Sequence, residues 1–146
     1  MIFKKIAIGC DHAGFQLKLI LKDFLLSKGI EVFDFGTNSA DSVDYTDYAH
    51  PLSIAVENGE CEVGITICGS GNGINMTANK HQGIRAALCW IPEIARLARA
   101  HNNANVCSLP GRFVTDEEAK KIVELFIETA FDGGRHELRI NKISLK

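Results

Sequence analysis

The 146-residue sequence lacks the features of a membrane-bound, secreted or cross-linked protein. No apolar run approaches the length of a membrane span. The amino terminus runs directly into a strand-like segment, without the apolar core and cleavage site of a secretory signal. The five cysteines are odd in number and never spaced as C-x-x-C, which argues against a disulfide framework and a zinc ribbon. We therefore expect a protein of the reducing cytoplasm.

The chain also lacks an excess of charge of one sign. Its formal net charge is -2, with acidic and basic residues interspersed. Such a surface has no basic field for a nucleic-acid backbone or an anionic membrane, so an anionic ligand needs a local cluster. No H-E-x-x-H or carboxylate triad appears, and we expect neither a metal nor another cofactor. The length fits one domain spanning residues 1–146.

Strand-like apolar runs alternate with amphipathic segments along the whole chain. We predict strands at residues 5–9, 31–35, 63–67, 85–89 and 105–109, and helices at 15–28, 48–58, 92–101 and 115–131, with further helices opening near 73 and 135. Strands that each lead into a helix predict an α/β fold, a Rossmann-like three-layer sandwich with a five-stranded parallel sheet. In such sheets ligands bind beyond the carboxyl ends of the strands.

The strongest local signal is a glycine-rich turn that follows the third strand, Cys68-Gly69-Ser70-Gly71-Asn72-Gly73. Backbone N–H groups can converge on an anion in such a turn. The turn is neither the dinucleotide fingerprint nor a P-loop, which disfavours nucleotide binding. The start of a helix favours a thiolate, so Cys68 is a candidate base or nucleophile. The alternative, a small buried residue in a tight turn, weighs about equally on the turn alone.

Other polar residues are candidates with ordinary structural alternatives. Asp11 and His12 follow the first strand and could trade protons with a sugar hydroxyl, although Asp is a common N-cap. His101 and Asn102 end the fourth helix, where a polar cap is ordinary, and a histidine at this edge could serve as a general acid or base. Tyr45, in the long loop at 36–47, could line a pocket or simply pack.

Three arginines could hold a phosphate. Arg135 and Arg139 are four residues apart on the last helix and share a face, and Arg112 follows the fifth strand near the ligand edge. A solvated helix face is the usual alternative. The preceding Gly133-Gly134 pair allows close packing and favours a built site.

The motifs together carry a family resemblance. They are G-C-D-H-A-G at 9–14, I-C-G-S-G-N-G at 67–73, A-N-K at 78–80, G-I-R-A at 83–86, H-N-N-A-N-V at 101–106 and G-G-R-H at 133–136. This combination resembles type B ribose-5-phosphate isomerases over nearly the whole chain. Ser70 and Thr46 depart from the residues common there, threonine and proline, but Ser70 keeps the hydroxyl.

The resemblance implies an enzyme of the pentose phosphate pathway that interconverts D-ribose 5-phosphate and D-ribulose 5-phosphate through a cis-enediolate. By resemblance, Cys68 moves the proton, His101 assists ring opening, and the Ser70 hydroxyl faces the developing negative charge. The residues that match positions holding the sugar or its phosphate are Asp11, His12, Tyr45, Gly69 to Gly73, Asn102, Arg112, Arg135 and Arg139. The resemblance also implies a homodimer or homotetramer with sites shared between subunits.

Two alternatives stay open at this point. The first is a hexose-6-phosphate isomerase that acts on allose or galactose phosphates with the same residues. Galactose-6-phosphate isomerase subunits share the glycines, but they do not generally keep the His-Asn pair together with G-G-R-H. The second is a non-catalytic phosphosugar-binding module, which would need no reactive thiol.

Overall fold

A computed structural model describes residues 2–145, and its strands and helices alternate along the chain. The strands are β1 Lys5–Cys10, β2 Glu31–Asp34, β3 Val63–Cys68, β4 Ala86–Leu88 and β5 Val106–Pro110. The helices are α1 Phe15–Ser27, α2 Thr46–Glu57, α3 Asn72–Ala78, α4 Pro92–Asn102, α5 Asp116–Glu128 and α6 Arg135–Ile140. A short 3₁₀ turn, His12–Gly14, precedes α1.

The five strands form one parallel sheet in the order β2-β1-β3-β5-β4. Helices α1, α4 and α5 bury their apolar residues on one face of the sheet. Helices α2 and α3 cover the other face. The predicted three-layer α/β sandwich is therefore confirmed. Within residues 2–145, no helix combines the length and the apolar character needed to span a bilayer.

Strand β3 lies in the middle of the sheet and is buried along its whole length. Its side chains alternate: Ile65 and Ile67 pack in the core beneath α1, α4 and α5, whereas Cys68 packs with Ala49 and Ile74 on the opposite face. The last residue of the strand is thus directed toward α2 and α3.

The end of α5 differs from the prediction, which extended this helix to residue 131. The helix begins with the predicted capping box, in which Thr115 and Glu118 bond to each other's backbone N–H. It ends at Glu128 because Thr129 adopts an extended conformation (φ -96°, ψ 126°). The Thr129 hydroxyl bonds back to the Leu125 carbonyl at 2.6 Å. The chain between α5 and α6 is therefore free to turn toward the end of α4.

A buried lysine anchors the start of the loop that leads to Tyr45. The side chain of Lys18 is fully buried, and its ammonium donates to Asp34 Oδ1 at 2.8 Å, to the Thr37 carbonyl and to Asn38 Oδ1 at 3.3 Å. Partial burial favours the neutral acid, but hydrogen bonds from Lys18 and the Gly36 N–H hold the pKa of Asp34 below its usual value. This ion pair fixes where the loop leaves β2.

We expect Asp34→Ala to destabilise the fold by about 3 kcal/mol, because it leaves the buried Lys18 ammonium without its counter-charge. Urea denaturation followed by circular dichroism measures the change. The control is Glu93→Gln, which breaks an exposed ion pair with Arg96 on α4 and should leave the midpoint unchanged. Equal midpoints for Asp34→Ala and the wild-type chain would contradict the anchoring role.

Candidate active site

The loops that follow β1, β3 and β5 lie side by side at the carboxyl edge of the sheet. The Asp11 N–H donates to the Ile67 carbonyl at 3.2 Å, and the Gly111 N–H donates to the Cys68 carbonyl at 2.8 Å. Strand pairing places Cys68 opposite Pro110 at the end of β5. The structure therefore brings Asp11, Cys68 and the loop carrying Arg112 together.

The glycine-rich turn between β3 and α3 has a conformation that depends on its glycines. Gly71 has φ +78°, which side chains rarely tolerate, and a Cβ there would lie 3.1 Å from the Leu109 carbonyl. Gly73 faces the ring of Tyr45 so closely that a Cβ would collide with it. The Ser70 hydroxyl accepts from the Asn72 N–H at 3.3 Å. The turn thus leaves backbone N–H groups at the strand end and places Tyr45 against them.

Burial and hydrogen bonding distinguish the five cysteines, all of which are free thiols. Burial raises the pKa of Cys10 and of Cys61 to about 11, so both remain protonated at neutral pH. A hydrogen bond with Cys89, and then burial, raises the pKa of Cys107. Cys89 is fully buried, with its thiol directed to a backbone carbonyl. Cys68, 4% exposed at the strand end, is the cysteine placed among candidate ligand groups.

The first strand supplies a carboxylate and an imidazole to this edge. Asp11 is 6% exposed, and its carboxylate accepts from the Ala13 N–H at 2.9 Å, so the N-cap role weighed from the sequence is real. His12 Nδ1 accepts from the Val43 N–H at 3.2 Å. Neutral His12 therefore carries its proton on Nε2 and can donate it to a ligand.

A cation completes this group of residues. The Arg112 N–H donates to the Gly69 carbonyl at 3.0 Å, and its guanidinium lies over the glycine. A Cβ on Gly69 would lie 3.1 Å from Arg112 Nη1. A shallow pocket of about 240 Å³ lies on the other side of the turn; it is lined by Tyr45 and Gly73 but not by Cys68 or Arg112. The carboxyl edge can thus hold an anionic ligand between Arg112 and the N–H groups of the turn.

His101 and Asn102 lie at the opposite edge of the sheet, so placing His101 at the ligand edge of its own chain is wrong. The Asn102 carbonyl accepts from Arg85 Nε at 3.1 Å, and Arg85 immediately precedes β4. The physical reason is that α4 runs antiparallel to the strand that leads into it. Strand β5 alone separates the two edges by roughly 13 Å. Within one chain, His101 and Cys68 do not share a site.

The arginines of α6 lie with His101 and not with Cys68. The ring of His136 stacks on the ring of His101, with 4.2 Å between centroids and 10° between planes. Loss of hydration, and then the charges of His101, Arg135 and Arg139, lowers the pKa of His136. The candidate residues therefore divide into a carboxyl-edge group (Asp11, His12, Tyr45, Cys68, the turn 69–73 and Arg112) and an amino-edge group (His101, Asn102, Arg135 and Arg139).

Two residues of the amino-edge region were not among the candidate site residues, although His136 ends the G-G-R-H motif. Asp132 and His136 lie close to His101, and one ligand atom from each residue lies within 4.8 Å of the others. Neither spacing nor composition connects residues 101, 132 and 136. Only the packing of α6 against the end of α4 brings them together.

Comparison with known proteins identifies the family. The model of the Ribose/Galactose Isomerase family matches residues 6–143, which contain every residue of both groups. The chain belongs to the ribose/galactose isomerase family. The resemblance drawn from the six motifs is thereby confirmed.

Several proteins named as ribose-5-phosphate isomerases match the chain over almost its full length. Ribose-5-phosphate isomerase B of Escherichia coli is 46% identical over 141 residues, covering 97% of this chain and 95% of that one. A ribose 5-phosphate isomerase structure from Thermotoga maritima has a TM-score of 0.94 and 55% identity, covering 96% and 97% of the two chains. Ribose-5-phosphate isomerase B of Mycoplasma genitalium, solved with bound ribulose-5-phosphate, has a TM-score of 0.93 and 45% identity, covering 98% and 95%.

Proposed function

We propose that this family member interconverts D-ribose 5-phosphate and D-ribulose 5-phosphate, as one domain spanning residues 1–146. The observation that carries the proposal is the position of Cys68, at the end of β3 beside Asp11, the glycine-rich turn and Arg112. The likeness to named ribose-5-phosphate isomerases over nearly the whole chain supports the substrate. The reaction would belong to the pentose phosphate pathway, in the cytoplasm.

The mechanism assigns proton transfer to Cys68. After the sugar ring opens, the Cys68 thiolate removes the C2 proton of the aldose, which gives a cis-enediolate. The O2 hydroxyl proton passes to O1 and the same thiol returns a proton to C1, which gives the ketose. The Ser70 hydroxyl and the N–H groups of Gly69 to Gly73 stabilise the oxygen on which negative charge develops. Hydrogen moves as protons, so the mechanism needs no redox cofactor.

Ring opening and phosphate binding divide between the two groups of residues. Asp11 and His12 are placed to exchange a proton with a sugar hydroxyl at the carboxyl edge. His101 assists ring opening, and Arg135 and Arg139 bind the phosphate together with Arg112. Because His101 and both α6 arginines lie at the amino edge of their own chain, they reach Cys68 only from a second copy.

The surface of the amino edge supports such an assembly. A groove of about 640 Å³ runs between the start of the edge strand β4 and the carboxyl-terminal segment. Its lining includes Asn102, and Ile143 and Leu145 are 59% and 93% exposed beside it. Large apolar side chains that are more than half exposed are typical of surfaces that a partner subunit covers. We therefore propose a homodimer, or a homotetramer built from it, with shared sites.

The substrate assay separates this function from its alternatives. The ribose/galactose isomerase family is named for galactose as well as ribose, which keeps hexose 6-phosphates as the second candidate. We expect kcat/KM to be higher with ribose 5-phosphate than with allose 6-phosphate or galactose 6-phosphate. A preference for a hexose phosphate would assign the second function. Sugar-phosphate binding without turnover of any of the three would indicate a binding module.

We expect chelation to leave the isomerase rate unchanged, because N–H donors and the Ser70 hydroxyl can stabilise the enediolate. The rate with ribose 5-phosphate is measured before and after dialysis against EDTA. A loss of activity that a divalent metal restores would refute the metal-free mechanism.

Arg135→Ala and Arg139→Ala should each raise KM about tenfold or more and change kcat little, since the phosphate is held in the ground state and the transition state alike. Steady-state kinetics with ribose 5-phosphate gives both constants. Arg96→Ala, which changes an exposed arginine paired with Glu93 on α4, is the matched control. A large fall in kcat with unchanged KM would argue against phosphate binding.

A further inference from the structure

A second chemical site lies where α6 packs against the end of α4. His101, Asp132 and His136 come from α4, the segment between α5 and α6, and α6. One ligand atom of each lies within 4.8 Å of the other two. Both imidazoles are half-buried and the carboxylate is exposed, so an ion can reach them from solvent.

Backbone and packing contacts hold these three residues in place. The Asp132 N–H donates to the Ala100 carbonyl at 2.9 Å, which fixes Asp132 one residue from His101. The stacked rings position His136 over His101. Ile140, 9% exposed, anchors the other end of α6. The cluster is therefore set by the fold and does not depend on a flexible surface segment alone.

We propose that His101, Asp132 and His136 bind a divalent transition-metal ion such as Zn²⁺, with water at the remaining position. Two imidazoles and a carboxylate form a ligand set that suits this class of ion. Ligand atoms around tetrahedral zinc lie about 3.3 Å apart, and binding requires the two stacked rings to rotate out of their parallel arrangement so that a nitrogen of each points at the ion. Two nitrogen ligands disfavour Mg²⁺, which prefers oxygen ligands.

The bound ion would inhibit the enzyme. Coordination occupies a ring nitrogen of His101 and removes this imidazole from ring opening. This consequence rests on the proposed function, whereas the binding itself does not. A transition-metal ion bound at this site would therefore inhibit the enzyme, although the reaction itself uses no metal.

Isothermal titration of the metal-stripped, full-length protein with ZnCl₂ tests the binding. We expect one ion per chain. The affinity for Zn²⁺ should fall about tenfold or more in Asp132→Asn and in His136→Gln, because removing a metal ligand lowers the affinity at least as much as removing a residue that hydrogen-bonds to a ligand. His50→Gln is the control, since His50 belongs to another close histidine pair, 2.7 Å from His81. Circular dichroism verifies that each variant is folded.

Three results of the titration would overturn the site. They are no saturable Zn²⁺ binding by the wild-type chain, equal affinity in Asp132→Asn, and binding that is lost in His50→Gln or Cys68→Ala but kept in Asp132→Asn. Mg²⁺ should give no binding heat, and tight Mg²⁺ binding would contradict the assigned ion class.

The isomerase assay tests the consequence separately. Zn²⁺ should inhibit the wild-type enzyme, EDTA should reverse the inhibition, and Asp132→Asn should keep its zinc-free rate while resisting zinc. An unchanged wild-type rate at saturating Zn²⁺ would overturn the inhibition. Zinc binding that depends on Asp132, in a chain without isomerase activity, would support the site and contradict the proposed function.

Discussion

Cys68→Ala is expected to lower kcat with ribose 5-phosphate about 10³-fold, because it removes the base that transfers the C2 proton. The substitution should leave the fold intact. Cys68 packs only with Ala49 and Ile74 in its small cluster, and alanine fills most of the same space. Binding of the sugar phosphate should also persist, since Arg112 and the turn remain.

The matched control for this experiment is Cys61→Ala. Cys61 is also buried, and burial raises its pKa to about 11, so it cannot act as a thiolate at neutral pH. This variant should retain wild-type kcat. Substantial turnover by Cys68→Ala, or an equal loss in both variants, would show that Cys68 is not the base.

The second large effect is recovery of activity from two inactive variants. Cys68→Ala and the double variant Arg135→Ala, Arg139→Ala should each be nearly inactive at low substrate. Unfolded together and refolded as a mixture, they should regain about a quarter of wild-type activity, because random pairing makes half of the dimers mixed and each mixed dimer holds one intact site. The structural reason is that Cys68 and α6 lie at opposite edges of one chain.

A pair of variants within one group of residues is the control for this complementation. Cys68→Ala mixed with Arg112→Ala should recover activity only if these residues come from different chains. The Arg112 N–H bonds to the Gly69 carbonyl of its own chain, so no recovery is expected. If mass spectrometry shows mixed dimers of Cys68→Ala and the double arginine variant without added activity, sites are not shared.

The fold could be predicted because each element has a local cause. Alternating apolar segments gave the five strands, and the glycines and capping residues gave most helix boundaries. The extended Thr129 was missed because its hydroxyl competes with the helix for the Leu125 carbonyl, a choice that composition does not show. The Lys18 anchor was missed because a lysine on an amphipathic helix reads as a solvated residue until its burial is seen.

The sequence predicted a set of candidate residues but not their division between two edges of the sheet. Loops after strands share an edge by the rule for parallel sheets, and the positions of Asp11, Cys68 and Arg112 follow from it. His101 ends a helix, and a helix returns the chain to the other edge, so the same rule places it far from Cys68. Asp132 and His136 meet His101 only through the packing of α6, which no sequence spacing reveals.

Isomerisation of ribose 5-phosphate in D₂O, followed by NMR over many turnovers, tests the central claim most directly. Proton transfer by the Cys68 thiol predicts that ribulose 5-phosphate appears with solvent deuterium at C1, and that Cys68→Ala shows neither conversion nor exchange. Deuterium at C1 would exclude a hydride shift. Conversion at the wild-type rate by Cys68→Ala would contradict the cysteine-based enediolate mechanism.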